Sequence, residues 1–188
     1  MASNTSTRNI RQYAMIMGTY MGGFWILKFI FFPLGLTNPF LLFLFLGLTI
    51  CVPFMAYYYT KMYRNRVCGG AITFSHAWSF TTLIYFFAAL LTFVAHYVYF
   101  RFIDHGYILN TYESMINEVF AQASMPGLEG YETQFRDAIA QMQSLSAFEI
   151  AIELFLNNIF YGTLLAIPTA LFVMRRTPAT NGQQPIQP

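Results

Sequence analysis

The sequence predicts an all-α membrane protein, a four-helix transmembrane bundle with an extracytoplasmic amphipathic helical hairpin between its third and fourth spans. Three observations lead there. Hydrophobic residues make up 56% of the 188 positions and charged residues 10%, where a soluble domain carries about 25% charged. A soluble fold of this length could not bury so much apolar surface, because a domain of roughly this size leaves about 30% of its unfolded surface exposed. The apolar residues gather in four runs near 13–36, 39–59, 77–100 and 148–174, each long enough for the ~20 residues that cross a hydrocarbon core. Finally, all eight carboxylates lie from Asp104 to Glu153, while Arg8, Arg11, Lys61, Arg64, Arg66, Arg175 and Arg176 occupy three stretches flanking the runs. Lys and Arg mark cytoplasmic loops. Both termini are therefore expected in the cytoplasm of a multi-pass inner-membrane protein, with 1–176 as one transmembrane domain.

The first span follows Arg8 and Arg11 as a signal peptide would, but it exceeds the ~7–15 residues of a signal h-region and no small-residue cleavage site follows. It is expected to stay as an anchor. Gly18 and Gly22 form a GxxxG step, extended by Gly23, that permits close helix approach. Lys28 stands about two-thirds of the way across, where a charge costs on the order of 2.5–3.5 kcal/mol by insertion scales and is functional by default. Its expected partner is Glu153, with Asn157 one turn further along the same face of the fourth span. The alternative is that Lys28 snorkels to the outer headgroups.

Only Thr37 and Asn38 separate the first two spans, beside Pro33 and Pro39, so these form an antiparallel hairpin. Pro53 and Pro168 stand at matching distances from the cytoplasmic ends of the second and fourth spans and are read as packing adjustments. Cys51 and Cys68 differ in depth and compartment and form no disulfide framework.

In the loop before the third span, Gly69 and Gly70 supply a tight turn, Ser75 is positioned to cap the helix, and Phe74 and Trp78 reach the interface. Arg64 and Arg66 beside the glycines are candidates for a lipid-phosphate contact, set against a plain positive-inside loop. Tyr57, Tyr58, Tyr59, Tyr63, Tyr97 and Tyr99 crowd span ends like an aromatic belt. His76, His96 and His105 occupy different depths without ligand partners at helical spacing, which points to structural roles and to no metal.

The insert 103–147 reads as two amphipathic helices. Asn110 with Glu113 resembles a capping box leading into Tyr112, Met115, Ile116, Val119 and Ala123. Pro126, Gly127 and Gly130 break the pattern. Leu128, Tyr131, Phe135, Ala138, Met142 and Leu145 form a second stripe, expected to pack on the protein's own span ends. Ser146 with Glu149 is a capping box opening the fourth span. The tail 177–188, rich in Pro, Gln, Asn and Gly, is expected to be flexible and cytoplasmic.

Tyr63, Arg64, Gly69, Gly70, Ile72, Thr73 and Phe74 before the third span, with Ile103 and Asp104 at its far end, resemble the pattern of the domain of unknown function 4199 family, small four-span integral membrane proteins of Bacteroidota. The chain departs from it at His105, where members often carry Pro. The resemblance implies membership and assigns no activity.

No GxSxG, HExxH, CxxC or P-loop pattern is present and no base array matches the acidic residues, so an enzyme is the least favoured class. No cofactor is implied. A net charge of +2 without a clustered basic face excludes nucleic acid. The expected partners are the bilayer and a membrane protein or second copy. The function expected is a non-catalytic subunit or accessory protein of an envelope system; the alternative is a small oligomeric transporter, channel or lipid-handling protein using Lys28 and Glu153.

Overall fold

The computed structural model describes residues 2–122 and 129–175, with side chains at 10–121 and 131–175. Six helices follow one another: α1 (Ala2–Gly35), α2 (Pro39–Arg66), α3 (Phe74–Phe102), α4 (Tyr107–Gln122), α5 (Glu129–Gln143) and α6 (Ala147–Val173). Among the described residues there is no named strand, only one isolated β-bridge. Ile10–Gly35, α2, α3 and α6 are each long and apolar enough to cross a membrane. α1 begins well before the apolar run, its first turns being too polar for hydrocarbon.

Local signals explain most helix ends. Asn38 caps α2 by accepting from the Phe40 N–H at 3.1 Å, with Pro39 in the first turn where no N–H is needed. Ser146 and Glu149 form the expected capping box of α6, the Ser146 N–H donating to Glu149 Oε2 at 2.7 Å and the Glu149 N–H to Ser146 Oγ at 3.3 Å. Two other caps differ from expectation. Thr73, not Ser75, accepts from the His76 N–H to cap α3. α4 starts three residues before Asn110, because Asp104 supplies the acceptors: Gly106 N–H donates to Oδ2 at 3.1 Å and Ile108 N–H to Oδ1 at 3.2 Å. Gly130 lies in the first turn of α5 and does not break it; Pro126, Gly127 and the tail 177–188 lie outside the described residues.

The long helices form a ring in which α1 packs on α2, α2 on α6, α6 on α3 and α3 on α1. Chain direction makes α1 and α3 parallel to each other, and likewise α2 and α6. The seams are closed by small residues: Ala77, Ala88, Ala89, Ala151, Ala166 and Ala170 are fully buried, as expected where helices associate in lipid by close backbone approach. Gly18 and Gly22 of α1 sit against α3: a Cβ on Gly18 would come within 2.6 Å of Phe87 Cβ and 2.9 Å of the Ile84 carbonyl, and one on Gly22 within 3.1 Å of Ala88 O. The GxxxG step is thus used inside the chain. Gly23 faces open space. The outer face carries large apolar side chains such as Phe40, Phe43, Phe54 and Phe172.

Tyr63 is not a belt residue. It is 4% exposed and stacks on Phe80 with ring centroids 3.8 Å apart, while its hydroxyl lies 3.2 Å from His76 Nε2. Trp78 donates to the Thr163 carbonyl at 3.4 Å, joining α3 to α6. Thr60 and Thr81 share a buried 2.8 Å hydrogen bond between α2 and α3.

Candidate functional site: a chamber beneath the helical hairpin

A chamber of about 610 Å³ lies where α4 and α5 fold over the bundle. Helical periodicity builds its walls. Trp25, Lys28, Phe29 and Phe32 recur at i, i+3, i+4 and i+7 on α1; Thr92, His96 and Phe100 at four-residue steps on α3; Ile150, Leu154 and Asn158 likewise on α6; Phe45 comes from α2. Ile108, Tyr112 and Ile116 of α4 with Phe135, Ile139 and Met142 of α5 form the roof. The insert's apolar stripes border this space, and the expected close packing on the span ends is not found: Tyr112, Val119, Tyr131, Phe135 and Met142 stay exposed, and α4 and α5 pack chiefly on each other. The volume falls within the roughly 300–1,000 Å³ typical of small-molecule sites, which are likewise mostly apolar with a few polar groups.

The polar side chains are few. Lys28 Nζ donates to Thr49 Oγ1 at 3.3 Å, and the Thr49 hydroxyl itself donates to the Phe45 carbonyl at 2.8 Å, so Thr49 can only accept from the lysine. The ammonium also stands 5.7 Å from the centre of the Trp25 ring and 5.4 Å from that of Phe45, a cation–π setting. His96 is 6% exposed with its ring 4.3 Å from Phe29. Trp25 Nε1 and His96 Nδ1 are buried without a hydrogen-bond partner, and such an orphan costs on the order of 1–3 kcal/mol. The Thr92 hydroxyl is spent on the Ala88 carbonyl of its own helix. Among the described residues no lining residue is a carboxylate.

The structure does not bring Lys28 to Glu153. Glu153 and Asn157 lie exposed, and among the described residues the one ion pair is Arg136 with Glu132 on α5, at 2.8 Å. Depth alone could not decide this, because one residue turns a side chain about 100° around a helix. Leu154 and Asn158 face the chamber, and their chain neighbours Glu153 and Asn157 do not line it. His96, expected in a structural role, lines this space together with Trp25, Phe29 and Phe32. The Trp25 to Phe32 stripe and the Thr92, His96, Phe100 row were the available signals for a shared lining.

At the opposite end, Arg64 is not free for a lipid phosphate. It is 5% exposed, its Nη1 donates to the Val173 carbonyl at 2.8 Å and its Nε to Asn65 Oδ1 at 3.0 Å. Gly69 (φ 64°) and Gly70 (φ 90°) take the left-handed region, and the Gly70 N–H returns to the Arg64 carbonyl at 3.0 Å. Ile72 and Arg175 then exchange two backbone hydrogen bonds of 3.0 Å. The loop of the YRNRVCGGAITF segment is a clasp that ties the α2–α3 connection to the end of α6. Arg66 remains exposed.

A family model described as protein of unknown function (DUF4199) matches residues 16–175. The chain belongs to the DUF4199 family. That match takes in most of the first membrane-capable helix and the whole of the other three, with the clasp and the hairpin. No curated protein and no solved structure matches the chain.

Proposed function

We propose that this DUF4199 member is a non-catalytic, lipid-handling protein of the inner membrane that takes a single-chain lipid into the chamber beneath α4 and α5. The chamber carries the reading: a largely aromatic and aliphatic space, bordered by bundle helices and roofed by an amphipathic hairpin, fits an acyl chain better than a polar solute or a hydrated ion. At about 30 Å³ per heavy atom, the figure for liquid water, 610 Å³ admits on the order of 20 heavy atoms, the size of one acyl chain with a small headgroup. All of its lining residues come from one chain, and the space is open on one side. Charge asymmetry supports cytoplasmic termini with the hairpin outside, which opens the chamber toward the outer leaflet. Glu153 has no part in this reading, and the chamber favours lipid handling over a purely accessory role.

Mass spectrometry of lipids retained by the mildly solubilised protein tests it. A single-chain species retained near one per protein, and lost when Leu154→Trp fills the chamber, is the expected result. Retention of the same lipids by both forms would count against the chamber.

A further inference from the structure

We infer that the lipid held in this chamber is an acid whose carboxylate is received by Lys28; the inference rests on the lipid-handling reading and adds the chemistry of the headgroup. The ammonium has three N–H donors, and the structure occupies one of them with a neutral hydroxyl, that of Thr49. Its other neighbours are the faces of Trp25 and Phe45. A partly buried cation without a counter-ion is costly, and the usual solution is an opposite charge held by hydrogen bonds. Among the described residues no chamber residue provides that charge, and Glu153 lies exposed without an ion pair. An anionic ligand would.

Two further groups mark the same end of the chamber. Trp25 and His96 are both more than nine-tenths buried, both belong to the chamber wall, and each retains a nitrogen with no partner. Trp25 stands one turn from Lys28 on α1, and His96 packs edge-on against Phe29, the residue after Lys28. A polar head arriving at Lys28 therefore lies beside the Trp25 and His96 side chains, whose unpartnered nitrogens are themselves covered, with Asn158 also on the chamber wall. The site supplies one cationic side chain, that of Lys28. That matches the single charge of a carboxylate and not the roughly −1.5 to −2 of a phosphate monoester.

The protein offers its own reporter, because its only tryptophans are Trp25 and Trp78. In the full-length Trp78→Phe protein, Trp25 fluorescence reports whatever enters the chamber. Dibrominated stearic acid and dibrominated stearyl alcohol present the same quenching chain with and without the charge. At about pH 7, well above the ordinary carboxylic-acid range, the acid is expected to half-quench Trp25 at a concentration about tenfold lower than the alcohol. Lys28→Met should abolish that preference, the acid then quenching no better than the alcohol in the same protein, and Lys28→Arg should keep it. Equal quenching by acid and alcohol in the Trp78→Phe protein overturns the inference without any Lys28 variant having to fold. A preference that survives Lys28→Met overturns it as well. A lysophosphatidate carrying the same chain that binds about tenfold tighter than the acid would replace the carboxylate with a phosphate. Failure of both acid and alcohol to quench Trp25 would instead remove the lipid-handling reading beneath it.

Discussion

Arg64 Nη1 donates to the Val173 carbonyl at 2.8 Å across 109 residues of sequence, so the end of α2 holds the end of α6. The carbonyl belongs to the last turn of α6, where four acceptors lack intrahelical partners and the helix dipole favours a cation. A charge-assisted bond of this kind contributes roughly 1.5–3 kcal/mol, and its loss leaves a buried acceptor unmet. Arg64→Met is expected to lower the stability of the detergent-solubilised protein by about 2–3 kcal/mol, while Arg66→Gln, at an exposed position, leaves it nearly unchanged. Thermal unfolding of both variants checks this; equal behaviour would place Arg64 outside the clasp.

The glycines of α1 should separate in the same assay. Gly18→Ala forces a Cβ to within 2.9 Å of the Ile84 carbonyl, a backbone atom that cannot swing aside, whereas Gly23→Ala meets nothing within 4 Å. Overpacking of this sort costs about 1–3 kcal/mol. Gly23→Ala should be neutral or slightly stabilising, since a helical glycine loses roughly 0.5–1 kcal/mol relative to alanine. A dimer contact through the GxxxG face would reverse the pattern, leaving monomer stability intact and changing the sedimenting mass.

Asp104 should be the hinge pin of the hairpin. Its two carboxylate oxygens hold the Gly106 and Ile108 N–H groups, and the turn between them uses His105 at φ 46° and Gly106 at φ 82°. Asp104→Ala is expected to cost about 1–2 kcal/mol, the usual loss of a helix cap. His105→Pro should be worse, because proline fixes φ near −65°, and His105→Gly should be tolerated. Proteolytic sensitivity of α4 and α5 reads the effect locally; a His105→Pro protein as resistant as the parent would show that this turn can adopt another backbone.

The proposed topology makes Cys68 a cytoplasmic thiol and a slow one. Burial pushes the Cys68 thiol above its ordinary value, with the Tyr63 hydroxyl offsetting part of the rise. Because the thiolate is the reactive form, alkylation by a membrane-impermeant maleimide should require opened vesicles and should rise with pH later than for an unperturbed cysteine. A cysteine introduced at Gln134, in a Cys51→Ser, Cys68→Ser background, should instead react from outside intact cells. Labelling of Cys68 in intact cells and not of the residue at 134 would invert the topology.

What the sequence revealed was set by how local each cause is. The Ser146 and Glu149 box and the Asn38, Pro39 start depend on residues within a turn of one another and were legible. The Thr73 cap was missed in favour of Ser75, and Asp104 in favour of Asn110, because several oxygen-bearing side chains compete near each helix start and backbone geometry chooses among them. Arg64 with Val173 and Lys28 with Thr49 could not be read at all, since each joins separate helices. Lys28 stands out in the sequence as a charge within a span; its surroundings depend on helix rotation, and the step from Asn157 to Asn158 is enough to move an asparagine onto the chamber wall.

The central claim is that a lipid chain occupies the space under α4 and α5, and site-mapped photolabelling tests it most directly. A single-chain lipid bearing a diazirine in its tail, irradiated with the full-length protein in a bilayer and followed by peptide sequencing, should mark chamber residues such as Phe100, Ile139 and Leu154, with competition by unlabelled lipid. Adducts confined to the outward-facing Phe43, Phe54 and Phe172, undiminished by competitor, would contradict the claim.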